Sequence, residues 1–73
     1  MTPLRLRIRE LREKAGWSQA ELARRARVGQ ATVSRIEAGA TKGVDLQTLE
    51  RLARALKVPH PGDLIARLTK RPG

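Results

Sequence analysis

Apolar residues recur along this chain at spacings of three and four, the period of helices that pack on one face. Leu4, Ile8, Leu11 and Ala15 mark one face of a first helix that ends at Gly16. Leu6 falls off that face and is a candidate exposed or interface residue. Thr2 followed by Pro3 predicts an N-cap with proline in the first helical position. Ser18 and Glu21 form an S-x-x-E capping box, and Trp17 and Leu22 have the spacing of a hydrophobic staple. Apolar positions continue at Ala20, Leu22, Ala23 and Ala26, then at Val28, Ala31, Val33 and Ile36. They predict two short helices joined by a tight turn. Residues 39–43 hold two glycines and no periodic apolar signal, so they read as a loop. Asp45 caps a fourth helix with a stripe of Leu46, Leu49, Leu52, Ala53 and Leu56. Pro59-His60-Pro61-Gly62 interrupts it. His60 then caps, and Pro61 starts, a short fifth helix with Leu64, Ile65 and Leu68 inside. No segment alternates with a period of two. The expected fold is all-α, a compact five-helix bundle containing a helix-turn-helix over residues 1–68, with 69–73 as a frayed tail.

Composition narrows the partner. Sixteen Lys and Arg against seven Asp and Glu give a formal charge of +9 on 73 residues. Such an excess favours a polyanion through counterion release, although a solvated basic surface explains charge alone. There is no Cys and one His, so disulfides and zinc fingers are excluded. Apolar runs are too short for a transmembrane helix, and the N-terminus lacks the apolar core of a signal peptide. A cytoplasmic chain with no cofactor, no metal and no membrane partner is expected. Ser18 and Ser34 have no evident base and no paired carboxylates occur, so no enzymatic activity is expected. The third helix leaves Gln30, Thr32, Ser34 and Arg35 outward. Two such helices on a basic chain suit the unit whose second helix enters the DNA major groove.

Three segments carry a resemblance to a known family. They are Ser18-Gln19-Ala20-Glu21-Leu22-Ala23, the run Thr32 to Gly39, and the run Leu49 to Leu56. In this order and spacing the chain, from about Leu4 to Leu68, resembles the helix-turn-helix domain of the phage repressor and Cro type, also called XRE-like. The resemblance implies a lambda-repressor-like bundle and a sequence-specific, double-stranded DNA-binding regulator, expected to be a repressor. It implies base contacts from Gln30, Ala31, Ser34 and Arg35 on the third helix. Arginine pairs bidentately with guanine and glutamine with adenine, while alanine offers only a methyl. It implies phosphate contacts from Gln19, Thr32, Thr41 and Lys42, Gln19 being aided by a helix N-terminus. Arg12 and Glu37 match a structural salt bridge. A homodimer, weak when free, would read a palindrome, with Val58, Pro59, Leu64, Ile65 and Leu68 at its interface.

Two positions depart from the family pattern. Arg27 stands where the turn usually holds Gly, and Gly29 replaces a Ser or Thr cap. Both fall where the third helix is aimed. Other residues have plain readings: Trp17 as packing rather than base stacking, and His60 as a cap or an outward side chain. Arg24, Arg25 and Arg27 are phosphate contacts or a solvated face, as are Arg5, Arg7 and Arg9. Two alternative functions remain open. One is an antitoxin or coactivator-like module that contacts protein; the other is a charge-only, non-specific nucleic-acid binder.

Overall fold

The computed structural model describes residues 2–69, with side chains through Arg67. Five helices follow one another: α1 (Leu4–Lys14), α2 (Gln19–Ala26), α3 (Gln30–Glu37), α4 (Leu46–Ala55) and α5 (Gly62–Thr69). Among the described residues there is no strand. The fold class is thus the all-α bundle that the periodicity predicts. α3 lies against both α1 and α2, α2 also packs on α4, and α5 closes against α4 and α1. Between them sit Leu4, Ile8, Leu22, Ala23, Ala26, Val33, Ile36, Leu49, Leu52, Ala53 and Leu64. Burying one such leucine or isoleucine contributes about 1.5–3 kcal/mol before conformational entropy is counted. With one aromatic residue in the chain, aliphatic packing and well-made helix ends hold the fold.

Some local expectations shift. Pro3, not Thr2, occupies the N-cap of α1, with no side-chain cap bond. The Thr2 carbonyl instead accepts from the Arg67 guanidinium, which also donates to Asp63 at 3.1 Å, tying the start of the chain to α5. His60 gives α5 its backbone carbonyl, accepting from Asp63 N–H at 2.8 Å, and Pro61 precedes the first helical residue. α5 includes Thr69, the first residue assigned to the tail; residues 70–73 lie outside the described residues. Leu46 leaves its predicted stripe and is 54% exposed. It occupies the first position of α4. Ala15 and Ala20 are exposed too. The two predicted polar caps do form, Ser18 accepting from Glu21 N–H at 3.1 Å and Asp45 from Thr48 N–H at 2.7 Å.

Four of the helices end alike. Just past each, the residue that follows a left-handed one donates its N–H to a carbonyl five residues back: Trp17 to Arg12, Val28 to Ala23, Ala40 to Arg35 and Val58 to Ala53. This closure places one residue in the left-handed region, normally glycine. Gly16 (φ 78°) and Gly39 (φ 88°) serve α1 and α3, but Arg27 (φ 59°) and Lys57 (φ 57°) serve α2 and α4. The turn therefore keeps the family's backbone geometry at Arg27 despite the side chain, at a cost of about 1 kcal/mol.

Candidate nucleic-acid interface

α3 presents two chemically distinct sides. Val33 and Ile36 are fully buried, whereas Gln30, Ala31, Ser34 and Arg35 are exposed, one turn apart along the opposite side. Arg35 has no carboxylate within ion-pair distance among the described residues, so its guanidinium is free for an external acceptor. Gly29 caps α3 in an extended conformation (φ −68°, ψ 144°) and supplies no side-chain acceptor. Its carbonyl accepts from Thr32 and Val33 N–H at 3.0 and 3.3 Å. The N–H groups of Gln30 and Ala31 have no acceptor one turn back within the helix, leaving donors at the exposed end. Thr32 is half-buried beside that end.

A single carboxylate fixes the far end of α3. Glu37 is its last residue, where negative charge opposes the helix dipole. Arg12 offsets this from α1, donating Nε to Oε2 at 2.7 Å and Nη2 to Oε1 at 3.0 Å. The remaining Nη1 donates to the Trp17 carbonyl at 2.7 Å. The side chains of Arg12 and Glu37 are only 12% and 5% exposed. This pairing raises the Arg12 pKa further above its ordinary value. Gln19, at the start of α2, adds an Nε2 bond to Glu37 Oε1 at 3.2 Å. α1, α2 and the link between them thus converge on one end of α3. A phosphate at Gln19 would meet its second amide hydrogen and the first-turn N–H groups of α2, because one amide hydrogen is already committed.

The loop after α3 is ordered by a Val44 N–H to Thr41 carbonyl bond of 3.1 Å, with Thr41 half-buried and Lys42 exposed. At its start, Gly39 has a positive φ that glycine adopts without strain, and a Cβ there would lie 3.3 Å from Cδ of the exposed Arg5 side chain, which would have to shift slightly. The arginines of α2 are not a uniform free face. Arg24 and Arg25 both bond to Glu21, and those bonds hold the Glu21 carboxyl below its usual range. Arg25 also stacks over the Trp17 ring, 4.5 Å from its centroid. Trp17 itself is half-buried and packs against the core.

The interface residues expected at the end of the chain divide. Leu64 is fully buried, so it belongs to the monomer core and cannot meet a partner. Val58 and Ile65 are half-buried and Pro59 is exposed. The side chain of Leu68 lies outside the described residues. Leu46 adds an exposed leucine that periodicity did not single out, because periodicity does not reveal which helix end lacks a neighbour. Among the described residues no three His, Asp or Glu side chains gather as a metal site, and no helix is long and apolar enough to cross a membrane.

Comparison with known families gives one result. The family model described as Helix-turn-helix matches residues 8–62, spanning most of α1 through the start of α5. No curated protein and no solved structure matches the chain.

Proposed function

Because the chain belongs to the helix-turn-helix family of the XRE and lambda-repressor type, a DNA-binding family, we propose that it is a sequence-specific repressor. α3 enters the major groove, where Arg35 and Gln30 read base edges, Ser34 reaches an edge or a phosphate, and Ala31 meets a thymine methyl. The observation that carries this reading is the exposed side of α3, with an unpaired Arg35 over a buried Val33–Ile36 side. Gln19, Thr32, Thr41 and Lys42 hold the backbone on either side and set the register. The domain is residues 1–68, and the +9 charge of the chain supplies the sequence-independent part of the affinity.

One recognition helix covers few base pairs. Two copies about 34–36 Å apart, one helical turn, read a palindrome in successive major grooves. Val58, Pro59 and Ile65 form the pairing surface in this reading, which makes a dimer weak in free solution and stronger on DNA. Selection of bound duplexes from a random pool tests the proposal. A short, inverted-repeat consensus supports it; a pool that stays random after repeated selection overturns it in favour of charge-only binding.

A further inference from the structure

The C-terminal ends of α2 and α4 enclose an open groove of about 660 Å³. Trp17, Ala26 and Ala55 contribute apolar surface, and Arg25, Arg27, Arg51, Arg54 and Lys57 surround it. Among the described residues no carboxylate lines it. Arg25 is engaged by Glu21 and stacked on Trp17, while Arg27, Arg54 and Lys57 have no carboxylate within ion-pair distance among the described residues. Arg51 donates to the Arg27 carbonyl at 3.2 Å and so joins the two walls. None of these residues belongs to the DNA-reading set on α3 and its flanks.

We propose that this groove docks an acidic segment of a partner protein, its carboxylates flanking an apolar side chain. The charge calls for an anion, and the apolar floor says which kind. A duplex backbone offers phosphates but no apolar side chain for Trp17, Ala26 and Ala55. Arg25 already lies over the Trp17 ring, which leaves no free face there for a flipped or single-stranded base to stack on, while the rest of Trp17 still lines the groove beside Ala55. A second copy of this chain is a poor source of such carboxylates, because Glu13, Glu21, Glu37, Asp45 and Asp63, out of its seven Asp and Glu residues, are already engaged by its own groups. Carboxylates pair bidentately with Arg27, Arg51 and Arg54, and a leucine-like side chain fills the floor.

Backbone strain points to the same place. Of the four helices closed by a left-handed residue, α1 and α3 use glycine; the two that use a cation, Arg27 and Lys57, both line this groove. Unfavourable backbone is retained where the side chain has a task. A favourable interaction with the helix dipole accounts for a cation near a C-terminus, but not for one at the residue where glycine is easiest.

Peptide docking in this groove is independent of base reading by α3 and is measured separately. Trp17 is the chain's only tryptophan, so its fluorescence reports occupancy directly. The 73-residue chain is titrated with a short synthetic peptide alternating Glu and Leu. Saturable binding that perturbs Trp17 is expected, weakened about tenfold by Arg54→Ala and again by Lys57→Gly. Lys57→Gly relieves a left-handed side chain, so its melting temperature stays level or rises, and lost binding cannot reflect unfolding. Both variants bind a short DNA duplex as the parent does. Absence of saturable peptide binding, or binding indifferent to both substitutions, overturns the proposal. Displacement of the peptide by an oligonucleotide that shows the same sensitivity to Lys57→Gly also overturns it, and makes the groove a nucleic-acid site.

Discussion

Arg12 and Glu37, separated by 25 positions, form a two-pronged pair of 2.7 and 3.0 Å between α1 and the last residue of α3. Its surroundings make it more than a surface ion pair. The third guanidinium donor group holds the Trp17 carbonyl, and the carboxylate also receives Gln19 from α2. The direction in which α3 leaves the core is therefore set by a charge-assisted junction at one end and by Val33 and Ile36 along its buried side. A helix that reads bases needs such a fixed bearing, since displacement of the helix moves every reading side chain together.

Glu37→Ala leaves the nearly buried Arg12 without its carboxylate, with only the Trp17 carbonyl still accepting from it. A loss of about 2 kcal/mol in stability is expected, larger than for an exposed pair. Thermal unfolding followed by circular dichroism checks it, with a fall on the order of 10 °C for a domain of this size. An unchanged melting temperature together with weakened DNA binding would instead place the pair at the DNA.

Asp45 gives the fold an acid-sensitive helix start. Hydrogen bonding from the Thr48 side chain, and then from Thr48 N–H, holds the carboxyl below the ordinary aspartate value. A depressed folded-state pKa contributes stability that is complete above the unfolded value, about 3.9, and is lost as pH falls through the folded one. Asp45→Asn keeps a cap acceptor but removes the titration. Denaturant midpoints are expected to match near neutral pH and to fall less steeply in acid for the variant. Parallel acid limbs would contradict this.

Arg27 and Lys57 each hold a side chain in the left-handed region (φ 59° and 57°). Arg27→Gly and Lys57→Gly are each expected to stabilise by roughly 0.5–1 kcal/mol, because glycine meets no steric penalty there. The melting temperature then rises by a few degrees per substitution. A fall would show that the aliphatic stem or the charge at the helix end outweighs the backbone strain.

Most of the architecture was legible because its signals are local. Ser18 and Asp45 announce their helices by side-chain chemistry, and the leucines of α4 announce its buried face. Arg27 is legible as a missing glycine of the turn. The left-handed Lys57 is legible only by comparison, because Ala53-Arg54-Ala55-Leu56-Lys57-Val58 repeats the Ala-Arg-x-x-basic-Val pattern of residues 23–28. Both valines pack against the core one residue past the left-handed position, and a proline follows the second. That shared hydrophobic closure was the available signal. What stayed hidden depends on distant parts of the chain. Gln19 turns to Glu37, Leu46 is exposed at the first position of α4, and Leu64 sinks into the core because α5 packs on both α4 and α1. The candidate reading face was legible from the spacing of Gln30, Ser34 and Arg35, whose exposure in the fold agrees with that spacing.

Pairing is expected to be weak without DNA, since Leu64 is withdrawn from the surface and Val58 and Ile65 are only half-exposed. Sedimentation of the free chain should give mostly monomer, and sedimentation on a selected palindrome should give two copies bound cooperatively. A strict one-to-one complex on such a site would contradict the symmetric dimer.

The reading of DNA by α3 is tested most directly by the affinity of Arg35→Ala for a selected site and for random duplex, measured side by side at one salt concentration. The exposed, unpaired guanidinium predicts a loss of roughly 1–3 kcal/mol on the selected site and a much smaller one on random DNA. Equal losses on the two duplexes would make Arg35 a phosphate contact and contradict base reading by this residue.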